Sequence, residues 1–330
     1  MCSKVKFGAF VISLDFEIHW GVRDHKSSDG DYSRHLLGER QSVPAMLDLF
    51  REFDVAATWA TVGFLFAKSK AELEKYKPEV LPDYKNTSLS PYDEKVGENE
   101  AGDLLHFAPS LIEQIKETPR QEIGTHTFSH YYCLDSGQTA ETFSADLQSA
   151  IAIAQPYGIR PQSIVFPRNQ YNPDYEEILL EKGITCFRGN QESWMYQVSE
   201  TNQKKPVYRA SRLADAYVNL SGHNTTKWED VWKDRIANVP ASFFLRPFSK
   251  KLGVLERRRL KRLTQSIEYA AKNKEIFHLW WHPHNFGVNL EENINFLRKI
   301  LEVYKGCEKK WGMRSLSMSE TAKKAIELSK

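Results

Sequence analysis

The chain has 330 residues, a formal net charge of +2, and 41% hydrophobic and 27% charged residues. That balance suits a globular protein with a substantial core and excludes a disordered one, and it gives no general reason to expect nucleic acid, whose phosphates call for a clear basic excess. Four scattered cysteines (Cys2, Cys133, Cys186, Cys307) lack CxxC spacing, which argues against a zinc knuckle or a disulfide framework.

Residues 7–14 form a continuous apolar run, the mark of a strand buried on both faces of a parallel sheet, and it ends at Asp15 and Glu17. Residues 22–41 read as loop. Ser42 then caps a helix with Pro44 in its first turn and Met46, Leu47, Phe50 and Phe53 inside. A second strand follows at 55–60. From Lys68 to Asp103 polar and charged residues gather around Pro82, Pro91, Gly97 and Gly102, so 68–106 reads as a loop insertion, either a lid or a plain surface excursion. A helix over 109–116 leads into the strand 122–124 and the pair His126 and His130. Next come a helix over 139–157, a strand over 163–166 leading to Arg168, a helix over 175–182 stopped by Gly183, and a strand over 184–187 ending at Arg188. Residues 207–213 read as one more strand, 254–273 as a long helix, 276–281 as a strand, 290–304 as a helix closed by Gly306, and 319–328 as a terminal helix.

Strands alternating with helices call for a parallel sheet covered by helices, and in a β/α barrel the functional residues project from the C-terminal strand ends. Asp15 and Glu17, His126 and His130, Arg168, Arg188, His282 and His284 all fall there. One carboxylate with two imidazoles is a three-ligand set for catalytic zinc or a similar divalent ion. If the turn 126–130 is helical, the two rings share a face. A second carboxylate can act as general base, and a histidine opposite can protonate a leaving nitrogen. Asp15 and Glu17 lie two apart, face one side of a strand, and are interchangeable in these roles.

Each residue also has a plainer reading. Asp15 and Glu17 can cap a helix, and Arg168 and Arg188 can form structural ion pairs. His19, His25, His35, His106, His223 and His278 have no matching partner and read as surface or core histidines. Trp20, Trp194, Trp280 and Trp281 line a sugar platform or pack in the core. Residues 246–262 hold eight basic residues and one acid, within a basic helical insertion over 241–273. They form a solvated helix face or a surface for anionic lipid headgroups or a pyrophosphate. No apolar run approaches the roughly 18–20 residues of a bilayer span, and residues 1–6 show no leader, so a cytoplasmic location is expected.

The ordered stretches Ser13-Leu14-Asp15-Phe16-Glu17, Thr125-His126-Thr127-Phe128-Ser129-His130, Phe166-Pro167-Arg168-Asn169-Gln170-Tyr171 and Leu279-Trp280-Trp281-His282-Pro283 resemble the motifs of the polysaccharide deacetylase (NodB-homology) family of carbohydrate esterases. The resemblance implies an α/β fold, a distorted (β/α)7-type barrel forming a single domain over 1–330 with loop insertions. It implies a metal-dependent hydrolase that removes an N-acyl group from an amino sugar. Glu17, His126 and His130 would be the metal ligands, Asp15 the base and His282 the acid. Arg168 would hold the base ionised and Tyr171 would help form the oxyanion site, while Asn169, Arg188, His284 and Trp20 are expected to meet substrate. The first motif departs from the family pattern of adjacent aspartates: Phe16 replaces the second and Glu17 follows, as in cytoplasmic branches with D-x-E spacing. The aspartate that orients the acid histidine is not evident, and Asp215 is the candidate. The expected ion is zinc, with nickel, cobalt or manganese as alternatives. The expected substrate is a lipid- or nucleotide-linked acylated amino sugar of surface polysaccharide biosynthesis. Peripheral contact with the inner membrane face would run through 246–262, with no nucleic acid partner. The rival expectations are an amidohydrolase acting on a small non-sugar amide, and a non-catalytic glycan- or lipid-binding protein whose lost chemistry is marked by Phe16.

Overall fold

β1 (Ala9–Phe16) is buried along its whole length, as an unbroken apolar run requires of a strand covered on both faces. In the computed structural model, which describes residues 5–26, 30–196, 206–233 and 235–330, this strand is the hub of an all-parallel sheet. The start of the chain, read above as free of a leader, and Cys2 lie outside the described residues. On one side β1 pairs with β8 (Ile276–Trp281). On the other it pairs with β2 (Ala57–Thr61) along its C-terminal half and with β9 (Arg314–Leu316) along its N-terminal half. From β2 the order runs through β3 (Gln121–Thr125), β4 (Ser163–Ile164) and β5 (Cys186–Phe187) to β6 (Ala237–Asn238), while β7 (Phe243–Phe244) flanks β8.

The two ends of this sheet are parts of one extended segment. Val239 N and Ala241 N donate to Phe187 O and Gly189 O, whereas Ser242 N and Leu245 N donate to His278 O and Trp280 O. Pro240, which has no N–H to offer a ladder, sits between the two pairings. The segment passes from β5 to β8 and closes the sheet, which bears out the distorted (β/α)7 barrel.

Alternation along β1 sets the layers. Phe10, Ile12, Leu14 and Phe16 pack into the large core shared with the helices, while Ala9 and Val11 join a smaller interior cluster with Ala60, Val165 and Ala237. The covering helices are α1 (Ser33–Glu52), α2 (Lys70–Tyr76), α3 (Pro109–Glu117), α4 (Ala140–Ala154), α5 (Glu176–Glu181), α6 (Pro206–Asp215), α7 (Trp228–Val231), α8 (Glu256–Asn273), α9 (Leu290–Trp311) and α10 (Met318–Ser329).

Several elements differ from expectation. α1 begins at Ser33, inside the stretch 22–41 read as loop, so Ser42 is a buried mid-helix residue whose hydroxyl donates to Pro283 O at 2.9 Å. Glu39 and Ser42 are polar yet buried beside Leu36, Val43 and Met46, which breaks the apolar stripe and concealed the first turns. Residues 207–213 lie in α6 and not in a strand. α9 runs through Gly306 and stops at Gly312, whose φ of 68° suits a left-handed C-cap. Residues 241–273 are not an insertion: they supply β7 and α8, whose Leu263, Ile267 and Ala270 belong to the main core. The 68–106 stretch is ordered and anchored. Arg40 donates to Glu100 and to the carbonyls of Leu104 and Phe107, and Arg23 donates to those of Ser88 and Leu89. Among the described residues no helix is long and apolar enough to cross a membrane.

Candidate active site

His126 follows the end of β3, but the turn to His130 is not helical, because Thr127 and His130 have φ of 64° and 57°. Side chains take the place of the helical ladder. Thr125 Oγ1 accepts from Thr127 N, and Thr127 Oγ1 accepts from Tyr131 N. The buried carboxylate of Asp146 on α4 accepts from Phe128 N at 2.7 Å, from Ser129 N at 3.2 Å and from the Ser129 hydroxyl. Short polar side chains that bond nearby backbone favour such turns over helix. The imidazoles still converge, with ring centroids 5.1 Å apart. Ile18, Arg168 and Asn169 also have positive φ, so strained backbone is concentrated on the loops around this site.

Glu17 comes from the end of β1. Its Oε2 lies 3.3 Å from His126 Nε2 and 3.2 Å from His130 Nε2, all three side chains being buried. His126 Nδ1 donates to Val165 O at 2.8 Å, which leaves Nε2 as the lone-pair nitrogen, and that atom has no hydrogen-bond partner. Burial, only partly opposed by Glu17, pulls the His130 pKa down to about 4, so its ring is also neutral near pH 7. A carboxylate oxygen facing the His126 Nε2 lone pair repels it unless a cation stands between. Separations of about 3.3 Å are the edges of a tetrahedron with metal–ligand distances of about 2.0–2.1 Å. The set therefore fits a divalent ion. Gly21 makes room for the Glu17 carboxylate, since a Cβ there would lie 1.9 Å from Glu17 Cδ. Phe16 points to the opposite face of β1, against Trp59. An aspartate at 16 would sit among the helices, and Glu17 recovers the inward side with a longer arm.

Asp15 is gripped by Arg188, Nη1 to Oδ1 at 2.6 Å and Nη2 to Oδ2 at 2.8 Å. Arg188 also donates to Ser13 Oγ and Asn169 Oδ1, each at 3.0 Å, and its guanidinium lies 4.1 Å over the Trp280 ring. His278 Nδ1 donates to Val239 O, so its Nε2 accepts from the Ser13 hydroxyl at 2.8 Å and the chain of bonds behind Asp15 is complete. Burial raises the Asp15 pKa, but the charge and hydrogen bonds of Arg188 outweigh it, and the carboxyl titrates below its ordinary value. His282 Nε2 lies 3.5 Å from Glu17 Oε1 and 3.7 Å from Asp15 Oδ2, and its ring is 24% exposed. It faces a cleft of about 760 Å³ whose walls include Asp24, Asp135, Arg168, Asn169 and Trp280.

Other expected residues sit elsewhere. Arg168 does not reach Asp15; it pairs with Asp24 and lies over the Tyr132 ring at 4.6 Å, because its left-handed backbone turns it toward the loop after β1. Tyr171 is no oxyanion donor: its N–H donates to Asn169 O, its hydroxyl donates to Glu176 and its ring stacks on Phe187 at 4.4 Å. His284 is buried behind His282, rings 5.1 Å apart and nearly parallel, so it cannot meet substrate. Trp20 is likewise buried, its indole N–H donating to His106 O. Asp215 accepts from Tyr196, Leu220 N and Ser221 and does not orient His282. Trp281 is core and Trp194 is an exposed residue packed on Tyr208, which leaves Trp280 as the tryptophan that lines the cleft. Ser13, His278, Asp146 and Gly21 support the site without any local signal in the sequence.

Residues 29–187 match the family model described as polysaccharide deacetylase, and over that span the family resemblance is borne out. The match includes His126, His130 and Arg168 and leaves out Asp15, Glu17 and His282. Among solved structures, a protein assigned as a polysaccharide deacetylase from Mycobacterium smegmatis is similar over 99% of this chain and 92% of its own, at 14% identity and a TM-score of 0.63. A second, from Pseudomonas aeruginosa PAO1, covers 96% and 89% at 11% identity and 0.52. The allantoinase PuuE covers 96% and 88% at 13% identity and 0.52. At these identities the likeness is one of fold. No curated protein matches the sequence.

Proposed function

We propose that this chain, whose residues 29–187 match the polysaccharide deacetylase family, is a metal-dependent hydrolase that removes an N-acetyl group from an amino sugar. The observation that carries the reading is Glu17 Oε2 within 3.3 Å of both imidazole Nε2 atoms, beside a carboxylate locked by Arg188. A divalent ion held by Glu17, His126 and His130, zinc by the character of this N2O donor set, supplies a more acidic bound water and a polarised acyl carbonyl. Asp15, kept ionised by Arg188, takes the proton of the attacking water. His282, on the cleft side of both carboxylates, gives a proton to the departing amine. Trp280 offers an aromatic face to the apolar side of a pyranose ring, and Asn169 and Arg168 line the path for its hydroxyls.

A lipid- or nucleotide-linked sugar is the substrate class supported by the cationic stretch 246–262. Lys250, Lys251, Arg257, Arg258 and Lys261 are exposed there, whereas Arg259 and Arg262 turn inward to Glu256 and Asp215. The same five cations support peripheral contact with anionic lipid on the cytoplasmic face of a membrane.

The test is metal content and amine release with acetamido sugars, nucleotide sugars, lipid-linked sugars and small amides. Turnover of a sugar, lost together with bound metal in the His126→Ala/His130→Ala protein, supports the proposal; full activity in that variant overturns it. Turnover of small amides alone moves the chain to a non-sugar amidohydrolase. Glycan binding by metal-loaded protein without any turnover makes it a binding protein.

A further inference from the structure

We propose that His19, Glu94 and His106, with Asp103 behind them, form a second divalent-metal site that shares no ligand with the first. It joins the turn after β1 to the 68–106 stretch, and it holds whether or not the protein is a deacetylase.

Both imidazoles are buried, their rings at right angles with centroids 5.0 Å apart. Glu94 Oε1 lies 3.6 Å from His19 Nε2 and 3.8 Å from His106 Nε2. Those separations are too long for hydrogen bonds and a few tenths of an ångström above the tetrahedral edge of about 3.3 Å. His106 Nδ1 meets Asp103 Oδ2 at 2.8 Å, and a carboxylate that receives this bond puts the proton on Nδ1. Nε2 is then a lone pair, buried and without a partner, aimed at Glu94. Asp103 is itself fixed by Gly97 N, Leu105 N and His106 N, at 2.8, 3.1 and 3.2 Å. A carboxylate that holds a histidine by the nitrogen remote from the metal is the usual outer support of a zinc ligand. Glu94 is partly exposed, which gives an ion an entrance and leaves a position for water.

His19 was read above as a core or surface histidine because its partners lie 75 and 87 residues along the chain. The backbone joins the same pieces: His19 N donates to Leu105 O and Trp20 Nε1 donates to His106 O. Two nitrogens and one oxygen suit zinc or a neighbouring transition ion better than calcium or magnesium. An ion here staples the 68–106 stretch to the turn that carries Glu17 and Gly21.

The experiment uses full-length protein stripped with chelator, dialysed and titrated with zinc, with bound metal and thermal unfolding as readouts. Wild type is expected to bind two zinc ions per chain, and His126→Ala/His130→Ala one. Zinc should raise the melting temperature of that double variant, and adding Glu94→Gln should abolish the rise. Asp103→Asn should weaken the second site by about 10- to 100-fold. Glu94 is partly exposed and Gln keeps its shape, so Glu94→Gln tests the site without emptying the buried space around His19 and His106. One zinc in wild type, absent from His126→Ala/His130→Ala and unaffected by Glu94→Gln, overturns the second site and leaves the first intact. No zinc binding in His126→Ala/His130→Ala also overturns it, whatever its activity.

Discussion

Arg188 and Asp15 form a bidentate ion pair across the inside of the barrel, two parallel hydrogen bonds of 2.6 and 2.8 Å between fully buried groups. The pair keeps a buried carboxylate ionised, and in the proposed mechanism it gives Arg188 the role that the motif resemblance gave to Arg168.

Arg188→Met is expected to lower kcat/KM by about 10²- to 10⁴-fold, the usual weight of a positioned base. Without the guanidinium, burial alone acts on Asp15 and its pKa rises. The acid limb of the pH–rate profile then moves to higher pH. Arg168→Ala, which loses the Asp24 pair and the Tyr132 ring contact at the cleft wall, should raise KM and leave that limb in place. A limb moved by Arg168→Ala and not by Arg188→Met would reverse the assignment.

Asp15→Asn and Glu17→Gln separate the two carboxylates. Asp15→Asn should retain the metal of the Glu17 site and lose turnover, because no hydrogen-bond partner of the ligands changes. Glu17→Gln should lose that metal as well as turnover, since its oxygen faces both imidazoles. Metal analysis beside a single-substrate assay decides it, and the opposite pattern would make Asp15 the ligand.

Asp146→Ala should destabilise the fold by about 2–5 kcal/mol, since it strands the N–H groups of Phe128 and Ser129 in a buried turn. Zinc affinity at His126 and His130 should fall with it, although Asp146 touches neither ring. Urea unfolding with and without zinc measures both. Unchanged stability would mean that water replaces the carboxylate.

His278 supplies a pH dependence of folding. Burial lowers its pKa to about 3, below the ordinary value of about 6.5 for an unfolded chain. Between those values the unfolded state binds the extra proton. Stability is therefore complete above about pH 6.5 and falls as pH drops toward 3, by up to about 1.4 kcal/mol per pH unit for this one group. Urea unfolding of metal-free protein from pH 7 to 4 should show the slope, and His278→Gln should flatten it. An unaltered slope in that variant would place the effect on other histidines.

The strand-end residues were legible in the sequence because a strand has only two faces. Asp15 and Glu17 must point one way and Phe16 the other, and a buried apolar run followed by polar residues marks where the barrel opens. The histidine pair was legible as a pair, though its turn was not, because Asp146 bonds it from a helix 17 residues away in sequence. The choice between Arg168 and Arg188, the burial of Trp20 and His284, and the meeting of His19 with His106 had no local signal. Composition, alternation and spacing thus determined the fold class and the rim that carries Asp15, Glu17, His126 and His130. The tertiary structure decided which arginine faces the base and which histidines find partners, because those contacts span the barrel, and distance across a closed sheet is not encoded in distance along the chain.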